Sequence, residues 1–125
     1  MNKKETLVAF LEAWANQDYE KMYELSQKTW QDGNDAKKME LLYEPVKLKE
    51  FNIFSETYVS NSSMKYNVDL TLENGAKVIA IANVICEVAP GTPAAYGDWG
   101  VNPVSVQKVV ANIPAKKKGK SNAKK

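Results

Sequence analysis

Residues Lys65–Val88 read KYNVDLTLENGAKVIAIANVICEV, and this stretch decides the fold. Strand-like runs rich in Val, Ile and Leu lie on either side of Asn74-Gly75. An apolar–polar period of two is that of a half-buried strand. Asn-Gly between two such runs predicts a two-residue type I′ hairpin turn, in which both central residues need positive φ. With Asn74 and Gly75 central, Glu73 pairs with Ala76. Leu70 then faces Ile79, Val68 faces Ile81, Tyr66 faces Asn83 and Met64 faces Ile85, all on one side, the expected inner face. A slip of one residue turns every side chain to the opposite face, so the whole assignment rests on this turn.

The same arithmetic extends toward the N-terminus. A turn at Asn61-Ser62 pairs Val59 with Met64, Thr57 with Tyr66, Ser55 with Val68, Ile53 with Leu70 and Phe51 with Leu72. Leu48 falls on the wrong parity, which a β-bulge near Lys49 or Glu50 repairs while bending the sheet. Thr57, Tyr66 and Asn83 then form a polar row across an apolar inner face. Two readings of that row stand side by side: an internal hydrogen-bond network, and the polar lining of a pocket. The outer face of the third strand reads Val78, Ala80, Ala82, Val84, Cys86, Val88, with Phe54 and Tyr58 of the first strand beside it. A strand with one wet face should alternate apolar with polar, so this face is expected to be covered. The favoured cover is a second copy, a homodimer through Val78, Ala80, Ala82 and Val84, because exposed apolar patches mark contacts.

Ahead of the strands the period is helical. Asn2 and Glu5 form a capping box, and Leu7, Phe10, Leu11 and Trp14 mark the buried face of a helix running to about Asn16. Asp18 caps a second helix carrying Tyr19, Met22, Tyr23 and Ser26. Gln31-Asp32-Gly33-Asn34 is a break, and Asp35 caps a third helix that ends at Pro45. Strands are expected over about 46–59, 64–73 and 76–88. A Pro/Gly/Ala-rich loop covers 89–102, a fourth strand 103–110, and a disordered lysine-rich tail starts at Pro114. Helices followed by strands predict one α+β domain over residues 1–113, with three helices packed in a curved four-stranded antiparallel sheet.

Composition narrows the chemistry. The 125 residues fit one domain. All 17 basic residues are lysine, and histidine is absent. Six lysines lie in residues 114–125, so the rest sets 11 lysines against 15 acids, a net charge of −4. Without histidine, Ser-His-Asp and Cys-His nucleophile systems cannot be built, and zinc sites of the usual kind are not expected. Gly91, Gly97 and Gly100 match no phosphate-binding fingerprint. Cys86, the single cysteine, is expected to be a buried apolar residue. No apolar run approaches the roughly 20 residues of a membrane span. The first residues have no signal-peptide pattern, so a cytoplasmic protein is expected, with no cofactor, no metal and no membrane contact.

The segment Phe10-Leu11-Glu12-Ala13-Trp14-Ala15-Asn16-Gln17-Asp18-Tyr19-Glu20-Lys21-Met22, with the long bent strands behind it, resembles the nuclear transport factor two-like superfamily over about residues 2–112. The resemblance implies a cone of helices in a bent antiparallel sheet; a cystatin-like helix-on-sheet arrangement is the nearest neighbour. That superfamily holds ketosteroid isomerase, polyketide cyclases, scytalone dehydratase, transport adaptors and many non-catalytic domains. It leads to a non-catalytic binding or scaffold domain as the first expectation, a homodimer whose cone holds a small apolar ligand. The lining would be Trp14, Tyr19, Trp30, Thr57, Tyr66, Asn83 and Trp99, with core packing the competing reading for each aromatic. No catalytic residue is assigned, because Asp69, Glu73 and Glu87 are placed outward. An isomerase-, cyclase- or dehydratase-like enzyme acting on a polyketide- or steroid-like compound would need Asp98, or an acid on the first strand under a different register, with Asp98 or Tyr66 as the proton carrier. The lysine tail offers a third reading, contact with an acidic partner or nucleic acid. The acidic body and the absence of aromatics interleaved with lysine weigh against it.

Overall fold

The structure, a computed structural model, describes residues 1–110; the lysine-rich tail and the end of the expected domain at residue 113 lie outside the described residues. In chain order the elements are helices α1 (Lys3–Ala15), α2 (Tyr19–Glu24), α3 (Lys28–Gln31) and α4 (Ala36–Tyr43), then strands β1 (Leu48–Ser60), β2 (Ser63–Leu72) and β3 (Lys77–Ala89). Short strands β4 (Thr92–Pro93) and β5 (Asp98–Val101) and helix α5 (Pro103–Val110) complete them. This is an α+β fold on a curved, open antiparallel sheet.

The helix starts follow local chemistry. The Asn2 side chain accepts from the Glu5 N–H at 2.8 Å, and Glu5 accepts in return from the Asn2 N–H at 2.9 Å. This reciprocal box satisfies two donors left over at a helix start. Asp18 and Asp35 cap α2 and α4 by accepting from the N–H groups of Lys21 and Lys38. Leu7, Phe10, Leu11 and Trp14 are fully buried, as the helical spacing predicts. Trp14 donates its Nε1–H to the Val46 carbonyl at 2.9 Å and packs edge-on against Tyr43, ring centroids 4.8 Å apart.

The central hairpin departs from the expected register by one residue. Leu72 N–H bonds the Ala76 carbonyl, and Gly75 N–H bonds the Leu72 carbonyl. The loop is therefore three residues, Glu73-Asn74-Gly75, and of these only Gly75 takes positive φ, at 91°. This arrangement, with a left-handed glycine closing the turn, is the commonest alternative to the two-residue turn. Pairing runs Leu70 to Val78, Val68 to Ala80, Tyr66 to Ala82 and Met64 to Val84. The third strand is inverted: Ala80, Ala82, Val84 and Cys86 are fully buried and Val78 packs on the core, while Ile79 and Ile81 are exposed. The residues expected to form an outer dimer face, Val78, Ala80, Ala82 and Val84, belong to the inside.

The first hairpin shifts as well. The expected bulge at Lys49–Glu50 is present, and two further register shifts lie at Ile53–Ser55 and Tyr58–Ser60. Past the middle shift, Glu56 faces Tyr66 and Tyr58 faces Met64. The fourth strand expected over 103–110 is helix α5. Asn102 Oδ1 accepts from Val104 N–H at 3.0 Å and Pro103 takes the first helical position, where its missing N–H costs nothing. Val106 and Val110, four residues apart, bury one face of that helix. The strand omitted from the expected loop is β5, which pairs with β3 from Val84 to Glu87.

Gly100 fixes where β5 lies. Val101 bonds Leu25 and Gln27 through its N–H and carbonyl, and a Cβ on Gly100 would sit 2.5 Å from the Gln27 Cα. That neighbour is backbone and cannot swing aside. Gly100→Ala is expected to lower the urea unfolding free energy by about 1–3 kcal/mol, the usual range for forced overpacking.

Candidate functional site on the two faces of the sheet

The observed pairings turn the three long strands into a grid. On the outer face four rows run from β1 through β2 to β3: Glu50–Thr71–Lys77, Asn52–Asp69–Ile79, Ser55–Asn67–Ile81 and Thr57–Lys65–Asn83. Ten of these twelve positions are polar or charged. The exceptions, Ile79 and Ile81, are adjacent on one strand and 58% and 51% exposed. A depression of about 690 Å³ opens on the first two rows, lined by Glu50, Asn52, Asp69, Thr71, Lys77 and Ile79.

The expected polar row of Thr57, Tyr66 and Asn83 does not exist as one row. Thr57 and Asn83 lie on the outer face with Lys65 between them. Tyr66 lies on the inner face between Glu56 and Ala82. Nor do the expected lining residues enclose a shared space. Trp14 and Tyr66 are fully buried in the core, and Phe10, Tyr43 and Met39 fill the space around them. Tyr19 borders a shallow depression with Asp18, Lys37 and Glu40. Trp30 stacks edge-on with Tyr23, and Trp99 lies under the Lys3 ammonium, 5.8 Å from its ring centroid.

Three acids bear on catalysis. Asp98 projects into solvent, its side chain 82% exposed, and pairs with Lys28 at 3.1 Å. That placement removes the basis for using it as a shielded proton carrier. Glu87, placed outward by the sequence reading, is only 2% exposed. Its carboxylate accepts from the Thr29 N–H at 3.0 Å, from the Thr29 hydroxyl and, at 3.5 Å, from the Gln27 amide. Thr29 Oγ1 in turn accepts from Gly91 N–H at 2.7 Å. These donors hold a buried charge and tie α3 to β3 and to the turn before β4; they satisfy the acid and leave no open position for a substrate. Glu56, the acid on the first strand that a different register would admit, does face Tyr66.

Tyr66 nonetheless has the wrong acidity for proton transfer near neutral pH. Its oxygen is buried with no hydrogen-bond partner of normal geometry. Burial, then the nearby Glu56 carboxylate, pushes its phenol up to about 12. A general acid or base works best with a pKa near the working pH, and this shift is away from it. Cys86 is fully buried, as expected, and burial also raises its thiol, which makes it a poor nucleophile.

Among the described residues no group of three or more acids and cysteines is placed to hold a metal ion, and no helix is long and apolar enough to cross a membrane. No protein-family model matches the sequence, and no curated protein matches it.

The Tyr66 shift has a sign that stability measurements can read. The folded value lies above the ordinary phenol value of about 10, so the folded state holds this proton more tightly than the unfolded chain does. Its contribution is complete below about pH 10 and is lost as pH rises through about 12. Tyr66→Phe is therefore expected to flatten the fall in unfolding free energy between about pH 10 and 12, by at most about 2 kcal/mol. Tyr43 and Tyr19, whose phenols are also raised by burial, keep part of the fall in the variant. Parallel urea titrations of the two proteins across that window check this.

Proposed function

We propose that the protein is a non-catalytic binding or scaffold domain of the nuclear transport factor two-like kind, acting as a homodimer through the outer face of its sheet. The observation that carries the reading is the exposed Ile79–Ile81 pair among the polar positions of four outer rows. Helices on one face of a curved antiparallel sheet agree with the cone reading. A ligand inside the cone finds less support, because Phe10, Trp14, Tyr43 and Tyr66 occupy that volume.

The outer face suits a two-fold contact. A symmetry axis lying in the interface and running across the strands, between the second and third rows, sets each row over the other in the second copy. Ile79 then meets Ile81 of the partner subunit twice over, giving a four-isoleucine centre within a polar rim. Such a patch is self-complementary, as a two-fold interface requires, and an apolar centre inside a polar rim is the usual anatomy.

Sedimentation velocity over a concentration series tests the reading. The chain of 14.0 kDa should give a dimer of about 28 kDa, twice that mass, on a model of stable two-fold association. Ile79→Glu with Ile81→Lys should give monomers with an unchanged circular dichroism spectrum. A wild-type protein that stays monomeric up to about 0.5 mM, a concentration at which even weak specific contacts populate a dimer, would refute it.

A further inference from the structure

We infer that the distal half of β1 is a docking edge for an extended, lysine-bearing peptide. The site lies on the inner face and the free edge, apart from the face proposed for the dimer. Among the described residues β1 is the open edge of the sheet, since the order is β1-β2-β3 and the far side of β3 is taken by β4, β5 and α5. An open edge presents unpaired N–H and C=O groups and can accept one more strand.

The side chains beside this edge state what that strand should carry. Phe54, Glu56 and Tyr58 are all exposed, Phe54 at 48% and Tyr58 at 69%. Glu56 and Tyr58 pair with Tyr66 and Met64, which are buried, so they stand on the inner face where the helical layer leaves β1 bare. The effect of Glu56 on the Tyr66 phenol places its carboxylate on this side too. The result is one carboxylate with the Tyr58 ring two residues along the same face, and with Phe54 at the register shift between Ile53 and Ser55. An ammonium opposite Glu56 would gain a cross-strand ion pair and contact with the Tyr58 ring, and aromatic faces attract cations. Self-pairing is disfavoured, because two copies meeting antiparallel about this point would set Glu56 against Glu56.

The test uses the full chain, labelled with nitrogen-15, and two five-residue blocked peptides, Thr-Val-Lys-Val-Thr and the same peptide with glutamate for lysine. The lysine peptide should shift the amides of residues 54–58 in saturable fashion, and at least fivefold more tightly than the glutamate peptide. Glu56→Lys, a change at an exposed position, should reverse that preference. Equal binding of the two peptides, shifts centred elsewhere in the protein, or no saturable shift by about 5 mM peptide, weaker than the mM range of marginal complexes, would each overturn the inference.

Discussion

The left-handed backbone at Gly75 governs which residues this protein hides. With φ at 91°, Gly75 closes a three-residue loop and lets Leu72 pair with Ala76. Glycine adopts that conformation without steric cost. Shifted by one residue, Ile79 and Ile81 would enter the core and Ala80 and Ala82 would leave it. On burial alone that alternative looks better, since each isoleucine buried in place of an alanine gains about 1–2 kcal/mol. Volume decides against it. The helical layer already brings Phe10, Trp14, Tyr43 and Met39 to the inner face, and β2 adds Tyr66. Small residues on the facing strand fit beneath those rings, and a closely packed interior does not admit extra methylenes without strain.

Much of the fold was legible because its signals are local. The caps at Asn2, Asp18 and Asp35, the buried stripe of α1 and the bulge at Lys49–Glu50 follow from spacing and side-chain chemistry within a few residues. The dipeptide Asn74-Gly75 marked the hairpin, yet it is compatible with both a two-residue and a three-residue loop, and only tertiary volume separates them. Asn102-Pro103 was the overlooked sign of a helix start, masked by four valines whose β preference packing overrides. The candidate site was less legible for the same reason. A register slip in β3 and a second bulge in β1 moved Thr57, Asn83 and Glu56 to faces opposite those that sequence arithmetic gives.

Once the register is set, the sheet has three distinct surfaces. Its helix-covered inner part is core, rich in aromatics above and alanine below. Four rows of its outer face are polar around two isoleucines. Its free strand, bent by three register shifts, sets Glu56 and Tyr58 on the inner face. Two acids weighed for catalysis serve structure or solvent: Glu87 holds α3 against β3, and Asp98 pairs with Lys28 at the surface. Histidine is absent from the chain and the buried phenol is pushed away from neutral pH, and the exposed apolar and charged side chains and the strand edge are the features the proposals draw on.

The register itself is the claim on which these surfaces depend, and proton–proton contacts measure it directly. In an antiparallel pair, α protons approach closely only at the non-hydrogen-bonded positions. Since Leu72 and Ala76 share a backbone hydrogen bond, those positions are Thr71 with Lys77, Asp69 with Ile79, and Asn67 with Ile81. A nuclear Overhauser spectrum of the protein in heavy water should show α-proton cross-peaks for these pairs. Cross-peaks joining Leu70 to Ile79 and Val68 to Ile81 instead, the non-hydrogen-bonded pairs of a two-residue turn closed by Glu73 and Ala76, would contradict the account, returning the isoleucines to the core and the alanines to the surface.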